Sequence, residues 1–252
     1  MTETRYLELP DGRRIAHRFT PGTGPTIVFL PGYMSDMAGS KATAIFEMAQ
    51  ANGRPCLLLD YSGCGESSGE FADGTLTRWR DEVLAVIAAA GLEQVVLVGS
   101  SMGGWLMLMV AQALADSGKV KGMVGVAAAP DFTEWGIAQM DKNVLADGEA
   151  IWEENPYGPE PTPTYPGFWA DGQANLLLEK PIAFDGPVRL LHGQRDEDVP
   201  WDISVRLAER LRSADVQVML IKDGDHRLSR ESDIHLLLRS VAELVLARDP
   251  AA

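Results

Sequence analysis

Short continuous apolar runs and longer amphipathic runs take turns along this chain. Thr26 to Leu30, Cys56 to Leu59, Val95 to Val98, Gly122 to Ala129, Val188 to Leu191 and Val216 to Ile221 have the length and composition of strands, the first of them reading as buried on both faces. Between them, apolar residues recur at helical spacing in Ala38 to Ala51, Thr75 to Ala90, Trp105 to Leu114, Trp201 to Leu211 and Ile234 to Leu246. The punctuation agrees. Gly53 and Pro55 close the first helix, Asp73 is a candidate cap for the second and Gly91 its stop, and Pro200 stands at the start of the fourth. Ahead of them, residues 5–9 and 13–19 alternate around Pro10-Asp11-Gly12, which predicts a hairpin at a sheet edge. Strands alternating with helices predict an α/β fold on a mostly parallel, doubly wound sheet.

From Pro130 to Pro187 this rhythm breaks. Eight prolines fall in that span, along with Trp135, Trp152, Tyr157, Tyr165, Phe168 and Trp169. A stretch of that length without strand pattern is usually functional or disordered, and so many large aromatics in this segment argue against plain disorder. It is predicted to be a helical or irregular lid, about 130–187, inserted into a single domain spanning 1–252. Trp135, Trp152, Phe168 and Trp169 are its candidate substrate-binding residues. An ordinary surface excursion that packs its own aromatics is the competing reading.

Composition narrows the function classes. The chain has 252 residues, 46% of them hydrophobic, enough for one sizeable core. A formal net charge of −14 argues against nucleic acid and anionic membrane surfaces as partners. No apolar run reaches the roughly 20 residues of a spanning helix, so no stable membrane insertion is expected. The two cysteines, Cys56 and Cys64, imply no disulfide framework and suit a reducing compartment. The polar start, MTETRYLELPDGRR, has neither a signal nor a transit pattern, and a cytoplasmic location is the expectation.

The chemistry gathers around Val95 to Trp105, VVLVGSSMGGW. An apolar run, Gly99-Ser100-Ser101-Met102-Gly103 and an apolar helical run follow in that order. A serine that must project its hydroxyl from the tip of a strand sits on a strained turn, and the flanking glycines let the backbones approach. Ser101 is therefore the candidate nucleophile. The helix that begins beside it offers unpaired N–H groups, of which Met102 is the natural oxyanion donor. Ser100 and the pair Ser67 and Ser68 lack such a turn.

Serine needs a base, and the base needs a carboxylate. Ser101, Asp196 and His226 each fall just after the carboxyl end of an expected strand, where active groups collect in open α/β sheets. His226 is the candidate base. His17 alternates with Ile15 and Phe19 as a strand side chain, His192 lies in an HG turn and His235 opens a helix. For the acid, Asp196 leads, with Glu197 and Asp198 beside it and Asp131, also after an apolar run, as the alternative. Asp225 reads as a solvated loop charge. The Gly-rich loop from Asp60 to Ser67 lacks the Lys of a phosphate cradle, and no His/Cys cluster has metal spacing, so no cofactor or metal is expected.

PGYMSDMAGSKA, DYSGCGESSGEF, TLTRWRDEVL, GSSMGGWLMLM, PVRLLHGQRDEDVPW and DHRLSRESDIHLLL together resemble the α/β-hydrolase family, in particular its palmitoyl-protein thioesterase and acyl-glucuronide esterase group. The resemblance implies an α/β-hydrolase fold and a serine hydrolase acting on long-chain acyl thioesters or acyl glucuronide esters, with S-acylated peptides or proteins or small-molecule esters as substrates. It puts Ser101, Asp196 and His226 on the family's triad positions. It also implies Tyr33, after Pro31-Gly32, as the second oxyanion amide. Two other readings stand beside it: a cofactor-free perhydrolase or C–C bond hydrolase on the same triad, and a non-catalytic binding protein on a hydrolase fold.

Overall fold

The computed structural model describes residues 3–155 and 158–246; Tyr157, among the aromatics singled out above, lies outside them. The hairpin forms where alternation placed it, β1 (Arg5–Glu8) antiparallel to β2 (Arg14–Thr20). The apolar and amphipathic runs then become β3 (Thr26–Leu30), α1 (Ser40–Ala51), β4 (Cys56–Leu59), α2 (Leu76–Ala89), β5 (Val95–Ser100), α3 (Met102–Ala113) and β6 (Val120–Val126). The Pro-rich segment carries α4 (Phe132–Trp135), α5 (Gln139–Ala146), β7 (Ile151–Glu153), β8 (Thr162–Thr164) and α6 (Pro166–Ala174). The chain closes with β9 (Val188–Gly193), α7 (Asp202–Arg210), β10 (Val216–Ile221) and α8 (Glu231–Leu246).

The main sheet has eight strands in the order β1-β2-β4-β3-β5-β6-β9-β10. Every pairing from β4 to β10 is parallel; only the two involving β2 are antiparallel. Successive side chains of a strand point to opposite faces, and the core divides accordingly. Val28, Leu30, Val95 and Leu97 face α2, α3 and α7, while Ile27, Phe29, Val96 and Val98 face α1 and α8. Helix α3 is buried all round from Met102 to Ala111, because α2 and the Pro-rich segment cover its outer side, the latter where the Trp105 Nε1–H donates to the Asn175 carbonyl. A helix apolar on every face needs that cover.

Three local findings differ from the sequence expectation. Asp73 does not cap α2: it sits in a 3-10 turn, and the Thr75 hydroxyl accepts the Arg78 N–H, since the capping side chain must come from the extended residue directly before the first helical one. The Pro-rich segment, expected to be helical or irregular, also holds a two-stranded antiparallel ribbon of β7 and β8. Strands of three residues are too short for alternation to register, and Pro163 in β8, which cannot donate to a ladder, masks the signal further. The end of the segment is core: Leu178, Ile182 and Phe184 join the cluster on the α2 and α3 face.

Helix α3 approaches the sheet closely at its glycines, Gly103 among them. A Cβ on Gly103 would overlap the carbonyl oxygens of Leu30 and Pro31, whereas one on Gly167, in the first turn of α6, would meet nothing. Gly103→Ala is expected to lower stability by about 1–3 kcal/mol and Gly167→Ala to leave it unchanged or raise it by up to about 1 kcal/mol. Urea unfolding of the two variants checks this, with the midpoints moving in opposite directions or only the first one moving.

Candidate active site

Strand β5 ends at Ser100 and α3 starts at Met102, so Ser101 makes the whole turn with φ 54 and ψ −122. Three backbone bonds hold it: the Ser101 N–H donates to Val126 O at 2.9 Å, and the Ser101 carbonyl accepts from Gly104 at 2.8 Å and Ala129 at 3.1 Å. The side chain is thereby aimed off the sheet. The Met102 N–H, first in α3, is one of those a helix cannot satisfy internally.

The loop after β3 lies against this turn. A Cβ on Gly32 would stand 3.3 Å from both Ser101 Cβ and Ser100 O, so Tyr33 follows at close range to the serine. The loop is tied from below: the Met37 N–H donates to Asp60 Oδ1 at 2.7 Å and the Tyr61 hydroxyl to Pro31 O at 3.1 Å. From above, the Tyr33 hydroxyl donates to Pro163 O in β8 at 2.9 Å. Burial pushes the Tyr33 phenol pKa up, which keeps that donor protonated.

His226 joins two strand ends. Its Nε2 is 3.1 Å from Ser101 Oγ and its Nδ1 is 2.8 Å from Asp196 Oδ2. The loops carrying Asp196 and His226 touch, with a Cβ on Gly193 overlapping Gly224 and the Arg195 N–H donating to Gly224 O at 2.9 Å. Asp196 is held at both oxygens, Oδ1 accepting the N–H of Asp198 at 3.0 Å and of Val199 at 2.8 Å. Burial alone would raise its pKa; hydrogen bonds from His192, His226 and the Val199 N–H outweigh it and hold the carboxyl well below the usual range. The contact with His192 was not anticipated from sequence, where that residue reads as part of a turn; its only trace is the spacing of four residues from Asp196.

The structure separates the alternatives. Asp131, the competing acid, spends both oxygens on the N–H groups of Leu177 and Leu178, at 2.8 and 2.7 Å, and so fastens the end of the Pro-rich segment to its start. Asp225 is exposed and accepts the Leu228 N–H. Asp196, Asp198 and His226 are a group whose ligand atoms lie within 4.8 Å of one another, but there the His226 Nδ1 is already engaged with Asp196.

The four candidate lid aromatics do not form one roof. Phe168 is buried, its ring centroid 4.8 Å from that of Tyr33. Trp135 is half-buried and donates its indole N–H to Pro130 O. Trp169 packs against a small cluster of Ile137, Leu145 and Ile151, and Trp152 is 59% exposed. The rings that do surround Tyr33 are Phe71, Trp79, Phe132 and Phe168, with centroids 4.8–6.3 Å away. They come from four separate segments, so no stretch of sequence announces the cluster.

Comparison with known proteins agrees with this architecture. The profile of the Alpha/beta hydrolase family matches residues 27–245. The chain is 37% identical to the human palmitoyl-protein thioesterase ABHD10, mitochondrial, over 97% of this chain and 80% of that one. Among solved structures, a protein from Agrobacterium vitis S4 superposes with a TM-score of 0.91 at 37% identity, covering 97% of this chain and 99% of that chain. Mouse alpha/beta hydrolase domain-containing protein 10 superposes with a TM-score of 0.89 at 35% identity and the same coverage. With its sheet order, its strand-turn-helix at Ser101 and these matches along nearly its whole length, the chain belongs to the alpha/beta hydrolase family.

Proposed function

We propose that this hydrolase cleaves acyl thioesters or carboxylic esters through an acyl-enzyme on Ser101, with a long-chain acyl group as the part of the substrate it reads. The observation that carries the reading is the unbroken line from Ser101 Oγ to His226 Nε2, 3.1 Å, and from His226 Nδ1 to Asp196 Oδ2, 2.8 Å. His226 takes the Oγ proton as the oxygen attacks the acyl carbonyl, and ionised Asp196 stabilises the imidazolium. The Met102 and Tyr33 amides receive the oxyanion. His226 then protonates the departing thiolate or alkoxide, and a water repeats the sequence to free the acid.

The relatives named palmitoyl-protein thioesterases support the acyl thioester, in peptides, proteins or small molecules. An acyl glucuronide is the ester that the same chemistry would open. Residues 130–187 act as the lid, and Phe168 and Phe132, beside Tyr33, form the apolar wall. Among the described residues no helix is long and apolar enough to cross a membrane. Cys56 and Cys64 are buried free thiols, in keeping with a reducing compartment such as the cytoplasm.

Ser101→Ala should lower kcat by about 10⁶-fold and abolish fluorophosphonate labelling, because nucleophile and base act as a unit. Ser100→Ala should label like the parent; the reverse pattern would put the nucleophile one residue earlier.

Asp196→Asn should lower kcat by about 10⁴-fold with little change in KM, through the wrong tautomer of His226. Asp131→Asn should leave kcat near the parent but cost about 1–3 kcal/mol of stability, as one backbone N–H loses its acceptor. Steady-state kinetics and urea unfolding on both variants decide which carboxylate is the acid.

Each methylene buried by an acyl chain contributes about 0.8 kcal/mol, so kcat/KM should climb several-fold per CH₂ until the pocket is full. Phe168→Ala should move that limit to longer chains, whereas exposed Trp152→Ala should leave it in place. A flat profile from four to sixteen carbons on one leaving group would mean that the aromatic cluster is packing and not a pocket.

A further inference from the structure

Asp196 Oδ2 meets two imidazoles. Beside the His226 Nδ1 at 2.8 Å, the Nε2 of His192 lies 3.1 Å from the same oxygen. His192 is fully buried at the end of β9. Its Nε2 is also 3.0 Å from Val199 O, and its Nδ1 is 2.7 Å from the hydroxyl of Ser204, itself fully buried on α7. With Asp196 ionised, both neighbours of Nε2 are acceptors with no hydrogen to give. Nε2 therefore carries a proton whether the ring is neutral or cationic, and the Ser204 hydroxyl turns to suit Nδ1.

We infer that His192 is a positioning residue for the reaction proposed above: its ring, oriented by Ser204 at Nδ1, shares the one Nε2–H between Val199 O and Asp196 Oδ2 and so holds Oδ2 where His226 Nδ1 meets it. The inference rests on the Ser101, His226 and Asp196 reading. The two backbone donors to Asp196 both bind Oδ1, so by themselves they leave the carboxylate free to pivot about that oxygen. Among the described residues the other side chain on Oδ2 is His226, which sits on a loop and must itself exchange a proton with Ser101. His192 supplies the missing anchor from a parallel strand paired on both sides. An apolar residue of the same volume would fill the space, yet it would strand the Ser204 hydroxyl and let Oδ2 move.

The test compares His192→Gln with His192→Asn, two polar replacements of which only the first has the reach to donate to Asp196. Kinetics on one aryl ester and one acyl thioester are read beside thermal melts, with Asp196→Asn in the same series. The expected result is a loss of about 10²-fold in kcat for His192→Asn at unchanged KM, since a small misplacement of the base costs that much, and recovery of about tenfold or more in His192→Gln. Ser204→Ala, a milder change should the Asn variant not fold, is expected to lose several-fold in kcat at a Tm close to the parent. Folded His192→Asn with parental kcat, Gln and Asn variants losing kcat equally, or an unaltered kcat in Ser204→Ala would each overturn the inference. If instead Asp196→Asn keeps the parental kcat, it is the triad reading that fails; if Asp196→Asn is inactive and the His192 variants are not impaired, only the role of His192 does.

Discussion

The positive φ of Ser101 is the constraint on which the rest of the site depends. For a residue with a side chain, such a backbone costs on the order of 1–3 kcal/mol and persists only where its surroundings over-determine it. Here the surroundings are β5, β6 and α3. Val126 of β6 accepts the Ser101 N–H, the Ser101 carbonyl takes two N–H groups, and α3 closes on the sheet at Gly103. The sheet pairings from β3 to β9 are thus not a passive scaffold. They store the strain that lifts Oγ off the strand end toward His226.

Buried carboxylates do a second kind of work, and their electrostatics separate one from the others. Asp60 ties the loop after β3 to the loop after β4, Glu82 accepts from Ser62 and pairs with Arg13, and Asp131 fastens the ends of the Pro-rich segment. Burial dominates in all three and raises their pKa values. Asp196 alone of the four is shifted down, because two imidazoles and backbone N–H groups stabilise its charge beyond the cost of burial. Three of these groups fasten loops; the fourth stays ionised where an imidazolium would form beside it. Environments that push similar groups apart in this way are how one fold assigns them different tasks.

How much of this was legible depended on the range of each signal. The strands and helices of the sheet carry their period within four to sixteen residues, and every one of the apolar runs became a strand within a few residues of its expected bounds. The glycines around Ser101 made the turn readable, because only a turn of that kind needs them on both sides. What was hidden involves partners far apart in sequence. Asp131 and Asp196 look alike as acidic residues after apolar runs; what distinguishes them is the amides of Leu177 and Leu178, 46 and 47 positions from Asp131, and the imidazole of His226, 30 positions from Asp196. The second imidazole on Asp196 was missed for a different reason: an HG turn accounts for His192 locally, and nothing local asks where its ring points.

The aromatic cluster joins the loop after β3 to the Pro-rich segment. Tyr33 stands next to Gly32, on which a Cβ would come within 3.3 Å of Ser101 Cβ, yet its hydroxyl is bonded to β8 and its ring packs on Phe132 and Phe168 of the Pro-rich segment. Its other ring neighbours, Phe71 and Trp79, belong to the 3-10 turn and helix before β5, and the Trp79 indole is fixed to Ser62 O at 3.1 Å. One residue thus carries a backbone amide beside the proposed nucleophile and a side chain bonded to the segment above it. A shift of β8 or α6 must either break the 2.9 Å bond to Pro163 or move Tyr33 with it. The position of the segment and the geometry around Ser101 are for that reason coupled through the Tyr33 side chain, beside the Trp105 bond to Asn175, while the line from Ser101 through His226 to Asp196 is drawn from the loops after β5, β9 and β10.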